Sequence, residues 1–583
     1  MCTTVIVGKN VSQTGRVIVG HNEDAGGRVM HQQFFVPAAD HVAGEVLTAE
    51  HHRAQVPEAP HTLATYWSNM LQIDGSSFDQ GLANEAGLVI CSNGGGSSFD
   101  ADQYSDEELA LKEGGVGFLL RRIMAERAST PRQAMEIAAQ LLDEYGYIGT
   151  ARNYTVANKD EAWVLNVVKG HHYVAKRVPD DKVMLISNML AIRDVDLNDK
   201  ENVIAPADLI DYAIAQGRYT PAVEGDYSDF DFARAYQSDE NRHAPTKSYR
   251  MRLGWLKITG DFYNDELHYP ELLAPAQKMS VQDVIDTLGL TCYESYATRG
   301  DGKEDAFHVS ARDISRSQTR ESWVCDLQEN PLLNTMWRCT SYQDTGVYIP
   351  WFPMSERIPQ GYQWMSLEQA RKNHFDLQAQ YLDYDLTHSF HIYATLGELT
   401  NFNRGLLPGV NRVKQQYRSD VFERTAAVVQ AASEQSPEEA KKTLGEFTCS
   451  ECARMDALYA DMLSALDRHD MSVEAESLSV SEEKTVEVVL YGSAELHVQG
   501  LDLDTVYWSL GFTGKKESVN APAKPIAIRF DDVDGDGIVD AVLTFNAHDV
   551  AQFAIAGTYT DTYLRGLCNY MRFVAMTPVH FTA

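Results

Sequence analysis

The order of apolar and polar positions changes character along the chain. Thr3–Val7 and residues 16–20 are short β-branched runs joined by a turn over 12–15, and they predict two strands. Residues 88–92 and 154–168 predict further strands. Between these, the apolar positions of 117–128 and 130–145 recur at helical spacing. Ser129-Thr130-Pro131 supplies a start signal, because a hydroxyl can accept a free amide and proline fits the first turn. Helices are also predicted over 280–288, 366–386 and, with breaks, 412–466. Within the last stretch, 425–432 and 437–444 are rich in Ala, Glu and Lys, a composition that favours helix. Strands alternating with paired helices imply an α/β fold with helices layered on sheet.

Near residue 473 the pattern shifts. From 485 onward, short β-rich runs (486–491, 505–508, 526–530 and 541–545) are parted by Gly, Asp and Asn turns, as in a small β-sandwich. The Ser- and Glu-rich stretch 471–483 reads as a linker, which gives domains over 2–472 and 484–583. A chain of 583 residues is in any case too long for one hydrophobic core.

Charge narrows the classes of partner. Lys plus Arg total 50 against 83 for Asp plus Glu, a formal net charge of -33. Such a field repels phosphate backbones and anionic lipid, so neither nucleic acid nor a membrane surface is an expected partner. No run of about 18 apolar residues occurs, so no membrane insertion is expected, and no leader of the basic-then-apolar kind is visible. Eight cysteines in so long a chain do not make a disulfide framework. Cys449 and Cys452 form a single CxxC without a second, which reads as chance or a local disulfide. HExxH, GxSxG and the phosphate-binding glycine motifs are absent.

The candidate chemistry lies at the start of the chain. A small residue after Met1 permits removal of the methionine, and Cys2 would then carry both a thiol and a free α-amine. An α-amine titrates near ~8, so one residue can supply nucleophile and base together. The surrounding residues, Cys2-Thr-Thr-Val-Ile-Val-Gly and Gly20-His-Asn-Glu-Asp24, resemble the opening of the C69-type dipeptidases among the N-terminal-nucleophile hydrolases. Gly81-Leu-Ala-Asn-Glu-Ala-Gly-Leu88, the run 154–163, Ser187-Asn188, Met336-Trp-Arg338 and the run 347–353 extend the resemblance, in order, over roughly residues 2–470.

The resemblance implies a four-layer αββα core with additional helices, followed by the C-terminal β-sandwich, and a cysteine-type dipeptidase activity. It implies Cys2 as nucleophile, Asp24 as a group orienting the amine or the Cys2 backbone, and Asn188 and Asn93 as amides for the oxyanion or the amine. A late arginine near the nucleophile is Arg250 or Arg252. The related bile-salt and penicillin-V hydrolases usually carry arginine where this chain has His21, which opens the substrate class to N-acyl amides as well as small peptides. A calcium-dependent binding protein on a hydrolase fold is a third reading, and it predicts a retained Met1.

Asp532-Val-Asp534-Gly-Asp536-Gly-Ile-Val-Asp540 alternates carboxylates around a tight glycine turn, as a hard cation requires. Leu543 stands where an EF-hand needs its bidentate glutamate, so the loop reads as a shorter calcium loop between two strands. The wider tail resembles the Ig-like calcium-loop domains of secreted bacterial proteins. It favours a periplasmic or secreted location, and a native start at Met1 without a leader a cytoplasmic one. No cofactor is expected for catalysis itself.

Overall fold

A computed structural model describes the chain except for residues 1, 26–29, 49–53, 72–76, 101–104, 242–248, 262, 264–268, 291–312, 317, 342, 373–386, 403–405, 467–468, 495 and 511–522. It divides into two units, Met1–Ala457 and Leu458–Ala583.

The strands that build the first unit begin with β1 (Thr3–Val7), β2 (Ile18–Asp24), β3 (Met30–Val36), β4 (Thr65–Leu71), β5 (Ser77–Asn84) and β6 (Val89–Gly94). They continue with β7 (Arg152–Ala157), β8 (Ala162–Val167), β9 (Tyr173–Val178), β10 (Val183–Ile186), β11 (Val203–Ile204), β12 (Thr319–Asp326), β13 (Thr335–Thr340) and β14 (Tyr348–Trp351). A six-stranded sheet runs β10-β1-β2-β12-β13-β14, and an eight-stranded sheet runs β11-β9-β8-β7-β6-β5-β4-β3. Helices α1 (Leu119–Arg127) and α2 (Pro131–Tyr145) cover the eight-stranded sheet. Helices α3 (Tyr249–Thr259) and α4 (Val281–Leu288) lie on the six-stranded one. The result is the expected αββα layering, extended by the long helices α5 (Leu407–Ser433) and α6 (Pro437–Leu466).

Local chemistry accounts for these elements. Thr130 Oγ1 accepts the Gln133 amide at 3.1 Å with Pro131 behind it, a cap worth about 1 kcal/mol. Ser280 and Asp283 form a reciprocal capping box at the start of α4. On the helix side of the eight-stranded sheet, Phe34, Trp67, Ile90, Tyr154 and Val156 pack with Leu120, Ile123, Met135 and Leu142. Each such side chain contributes about 1.5–3 kcal/mol by leaving water. On the six-stranded sheet, register aligns Val5, Gly20 and Val324 on the face that carries α4. A Cβ at Gly20 would stand 2.6 Å from Val284 Cγ1 and 2.9 Å from Leu288 Cδ1, so the glycine lets the helix close on the strand.

The opposite parity aligns Thr4, His21 and Trp323, and this face looks toward the second sheet. The layer between the sheets is therefore unusually polar. Glu321, Arg338, His31, Gln33 and Ser68 are all buried there. Arg338 Nε donates to Glu321 Oε1, Ser68 Oγ donates to Glu321 Oε2 at 2.5 Å, and His31 Nδ1 lies 3.4 Å from Glu321 Oε2. Burial alone would raise the Glu321 carboxyl, but Arg338 and His31 outweigh it and hold the group down at about 2.

Several expectations are corrected. The strand predicted over 16–20 begins at Ile18 and continues to Asp24, because β12 pairs with it along that whole length. The run 154–168 is two strands, parted by a turn in which Asn158 Oδ1 accepts the amides of Asp160 and Glu161. Of the helix predicted over 366–386, Leu367–Lys372 is helical and 373–386 lies outside the described residues. The stretch 471–483 is not a plain linker. It supplies β15 (Met471–Val473) and β16 (Leu478–Ser479), short edge strands whose polar residues face outward.

The second unit continues with β17 (Thr485–Leu490), β18 (Leu501–Leu510), β19 (Ala527–Asp531), β20 (Asp540–Asn546), β21 (Thr558–Cys568) and β22 (Met571–Thr582). Two four-stranded sheets, β15-β17-β20-β19 and β16-β22-β21-β18, enclose Val488, Leu490, Trp508, Leu543, Phe545 and Phe581. Cys449 and Cys452 are both free thiols on α6. Among the described residues, no helix is long and apolar enough to cross a membrane.

Candidate active site

Cys2 immediately precedes β1, which lies inside its sheet between β10 and β2. Its side chain is buried, and Sγ lies 3.1 Å from Glu23 Oε1 as a donor. The other oxygen, Glu23 Oε2, stands 3.2 Å from His21 Nε2. His21 and Glu23 share a face of β2 because they are two residues apart on a strand. His21 Nδ1 meets Thr4 Oγ1 at 2.8 Å, and Thr4 Oγ1 donates to Asn93 Oδ1 at 2.7 Å. Since the hydroxyl proton goes to Asn93, Thr4 accepts the Nδ1 proton of His21, and this fixes which ring nitrogen faces Glu23.

The electrostatics follow from burial. Burial, reinforced by Glu23, pushes the Cys2 thiol up to about 12, so the thiol stays protonated at neutral pH until a base takes its proton. Burial opposes the His21 cation, but Cys91 and Glu23 outweigh it and bring His21 up to about 10. Burial also opposes the Glu23 anion, yet His21 and the Cys2 thiol hold its carboxyl below the ordinary range. The resting site is thus a neutral thiol beside a Glu23–His21 ion pair.

A second group of residues grips the backbone at the nucleophile. Arg250, in the first turn of α3, donates from Nη1 to the Cys2 carbonyl at 2.9 Å and to Asn188 Oδ1 at 3.0 Å. Asn188 Nδ2 donates in turn to the Gly94 carbonyl at 2.9 Å. Of the two candidate arginines, Arg250 reaches the Cys2 carbonyl. The loop bearing Asn188 is held by Asn153, which donates to the Met189 carbonyl at 2.9 Å and accepts the Ala191 amide at 3.0 Å. Asn166 accepts the same Ala191 amide at 2.9 Å and supports Asn153 at 2.6 Å. Asn93 Nδ2 is buried and makes no hydrogen bond to the described residues, so a donor is left over beside the Thr4–His21 link.

Asp24 ends β2 and is buried. Thr319 Oγ1 donates to it at 2.6 Å and Arg316 Nη1 lies 3.6 Å away. Burial pushes its carboxyl up, against the terminal charge of the chain and Arg316.

Sequence reasoning named Cys2, His21, Asp24, Asn93, Asn188 and, as alternatives, Arg250 or Arg252, and it missed Glu23, Thr4, Asn153 and Asn166. Glu23 and Thr4 were readable from strand alternation, since Glu23 is two residues from His21 on β2 and Thr4, on β1, pairs with His21 across the sheet. For Asn153 and Asn166 no local signal exists, because their role is to hold a loop more than twenty residues away.

In the second unit, ligand atoms of Asp532, Asp534 and Asp536 lie within 4.8 Å of one another, all exposed. Asp532 accepts the amides of Gly535 and Gly537, and Asp536 accepts that of Ile538, so the turn is wound around its own carboxylates. Three hard oxygen donors on one side of a glycine turn fit a calcium ion. Asp540 stands apart from this trio: it is buried and accepts the amides of Gly492 and Val533, each at 2.8 Å, and so pins the loop to the sheet.

A probable dipeptidase B of Streptococcus pyogenes serotype M1 is 26% identical over 390 residues, 64% of this chain and 76% of its own. A probable dipeptidase of Salmonella dublin is 26% identical over 370 residues, 60% of this chain and 80% of its own. A crystal structure of a conjugated bile acid hydrolase variant from Clostridium perfringens aligns over 58% of this chain and 89% of its own, at 12% identity and a TM-score of 0.26. The model of peptidase family C69 matches residues 1–385. With its thiol at the head of an internal strand and its αββα layers, this chain belongs to peptidase family C69 and is a cysteine-type N-terminal-nucleophile hydrolase.

Proposed function

We propose that the protein hydrolyses dipeptides, using Cys2 as nucleophile and the α-amine freed by loss of Met1 as base. The observation that carries this is the Cys2 thiol itself. It is buried, neutral and hydrogen-bonded to Glu23, so it needs a proton acceptor beside it, and the α-amine of the same residue is one. Attack of Sγ on the peptide carbonyl passes the thiol proton to the amine and forms a tetrahedral intermediate. Collapse expels the leaving amine, which takes that proton, and leaves a thioester that water hydrolyses.

In this reading the spare Asn93 amide donates to the oxyanion, and Arg250 with Asn188 fixes the Cys2 backbone. Asp24 steadies the region of the freed amine, and His21 keeps Glu23 ionised in place of the arginine of related hydrolases. The names of the relatives, probable dipeptidases, support the substrate class. The second unit binds calcium through Asp532, Asp534 and Asp536, with Asp540 shaping the loop, and this favours an extracytoplasmic setting where calcium is abundant.

The test is intact-mass analysis of the purified chain together with a panel of free dipeptides and N-acyl amides, assayed with wild type and Cys2→Ser. Loss of Met1, cleavage of dipeptides and inactivity of the variant are expected. Cleavage confined to N-acyl amides would replace the substrate class. A retained Met1 with no cleavage of either would make the chain a binding protein on a hydrolase fold.

A further inference from the structure

We propose that Cys2, His21 and Glu23 form a binding site for a divalent transition-metal ion of the zinc type, and that occupancy reversibly silences the nucleophile. One ligand atom from each residue lies within 4.8 Å of the other two, and all three side chains are buried. Thiolate, imidazole and carboxylate are the donors zinc takes, whereas calcium and magnesium take oxygen alone. Tetrahedral zinc sets neighbouring sulfur, nitrogen and oxygen ligands about 3.3–3.6 Å apart, given its usual bond lengths. Here Cys2 Sγ lies 3.1 Å from Glu23 Oε1 and His21 Nε2 lies 3.2 Å from the other oxygen, Oε2, so an ion shared through one carboxylate oxygen requires the Glu23 carboxylate to turn.

The imidazole is also oriented as metal-binding imidazoles are. Thr4 Oγ1 accepts from Nδ1 and passes its own proton to Asn93, which leaves Nε2 pointing at the thiol and carboxylate. With thiolate, neutral imidazole and carboxylate as ligands, a divalent cation leaves the occupied site with no net charge, and the protons it displaces go to solvent. The fourth position falls to water or to the α-amine of Cys2, which shares a residue with the thiol. In the metal-bound state the sulfur lone pair is engaged, so attack on a carbonyl cannot begin.

The inhibition rests on the nucleophile proposed above; the metal binding does not, and dipeptide cleavage by metal-free enzyme tests the former by itself. The experiment uses full-length, metal-free protein titrated with cadmium, read by its thiolate charge-transfer absorption, with zinc as competitor. Activity is followed on adding zinc and then a chelator. One equivalent is expected to bind, activity to fall with it, and the chelator to restore it. Cys2→Ser should abolish the band, and His21→Asn and Glu23→Gln should each weaken binding by at least about tenfold. Metal-free melting curves confirm that each variant is folded. Unchanged affinity in folded His21→Asn and Glu23→Gln, or a band lost in Cys91→Ala rather than Cys2→Ser, would overturn the site, as would failure of the wild type to bind. X-ray absorption of the zinc-loaded wild type does not depend on any variant: one sulfur with nitrogen and oxygen neighbours supports the site, and any other sulfur count refutes it.

Discussion

Replacing Glu321 by glutamine tests whether the polar layer between the sheets is held by charge or by shape. The change keeps the volume and removes the anion. Arg338 would then keep its charge in the interior, and the new amide would present a hydrogen-bond donor to a site already supplied by Ser68, Gln33 and Arg338. Two estimates of the cost agree. Losing one partner of a buried ion pair costs about 3–5 kcal/mol. Separately, the carboxyl is held at about 2 against an ordinary 4.5, and at about 1.36 kcal/mol per pH unit that difference corresponds to about 3 kcal/mol. Because the folded pKa is the lower one, this stability is complete above the unfolded value near 4.5 and disappears as pH falls toward 2. Urea unfolding followed by tryptophan emission is a suitable assay, since seven of the eight tryptophans, Trp323 among them, lie in the first unit. At neutral pH the midpoint should drop by the equivalent of about 3 kcal/mol or more, and the gap to wild type should shrink as pH falls below 4.5. A cost under about 1 kcal/mol, or a gap indifferent to pH, would mean that Glu321 is not a paired anion. Replacing both partners with apolar residues of similar size should recover much of the loss.

Other outcomes are specific to single residues. Arg250→Met should lower kcat/KM by about 100-fold or more in steady-state assays, because the Cys2 carbonyl and Asn188 lose a shared donor. Thr4→Val keeps the shape but removes the link between His21 and Asn93; chemical denaturation should show a loss of about 1–3 kcal/mol together with reduced turnover. Gly20→Ala should cost about 1–3 kcal/mol in the same assay, since its Cβ has no room beneath α4. Calcium at 100 times its dissociation constant should stabilise the second unit by about 2.7 kcal/mol by calorimetry, and Asp534→Asn or a chelator should remove the effect.

How far the sequence could be read depended on where polar residues are buried. Thr3–Val7 was read to the residue because β1 is uniformly β-branched, and α2 was read because Thr130 and Pro131 mark its start. The strands lining the polar layer were harder. Gln33, His31 and Ser68 occupy interior positions that an alternation of apolar and polar residues assigns to solvent, so β3 and β4 give no clean period. The same cause shortened β2: His21 and Glu23 look like a polar turn after Gly20, when they are the buried face of a continuing strand. Asn188 was separable from its neighbours only through the resemblance, which left Arg250 and Arg252 open, because Asn188 and Arg250 are 62 positions apart and nothing local ties one to the other.

The internal position of β1 bears on when the protein becomes competent during synthesis. Terminal residues of a chain are commonly frayed, yet Thr3–Val7 is paired on both edges, with β2 directly after it and with β10 at 183–186. The other edge of β2 is filled only by β12, at 319–326, so the strand carrying His21 and Glu23 has a free edge until more than half of the chain has been made. A ribosome-bound fragment shorter than this should leave Cys2 in an open-edged hairpin, exposed to oxidants and to other thiols and without its arranged partners. Deuterium exchange on arrested chains should show the amides of Ile18–Asp24 becoming fully protected only once residue 326 has left the ribosome, which ties the arrangement of His21 and Glu23 around Cys2 to one of the late strands of its own unit.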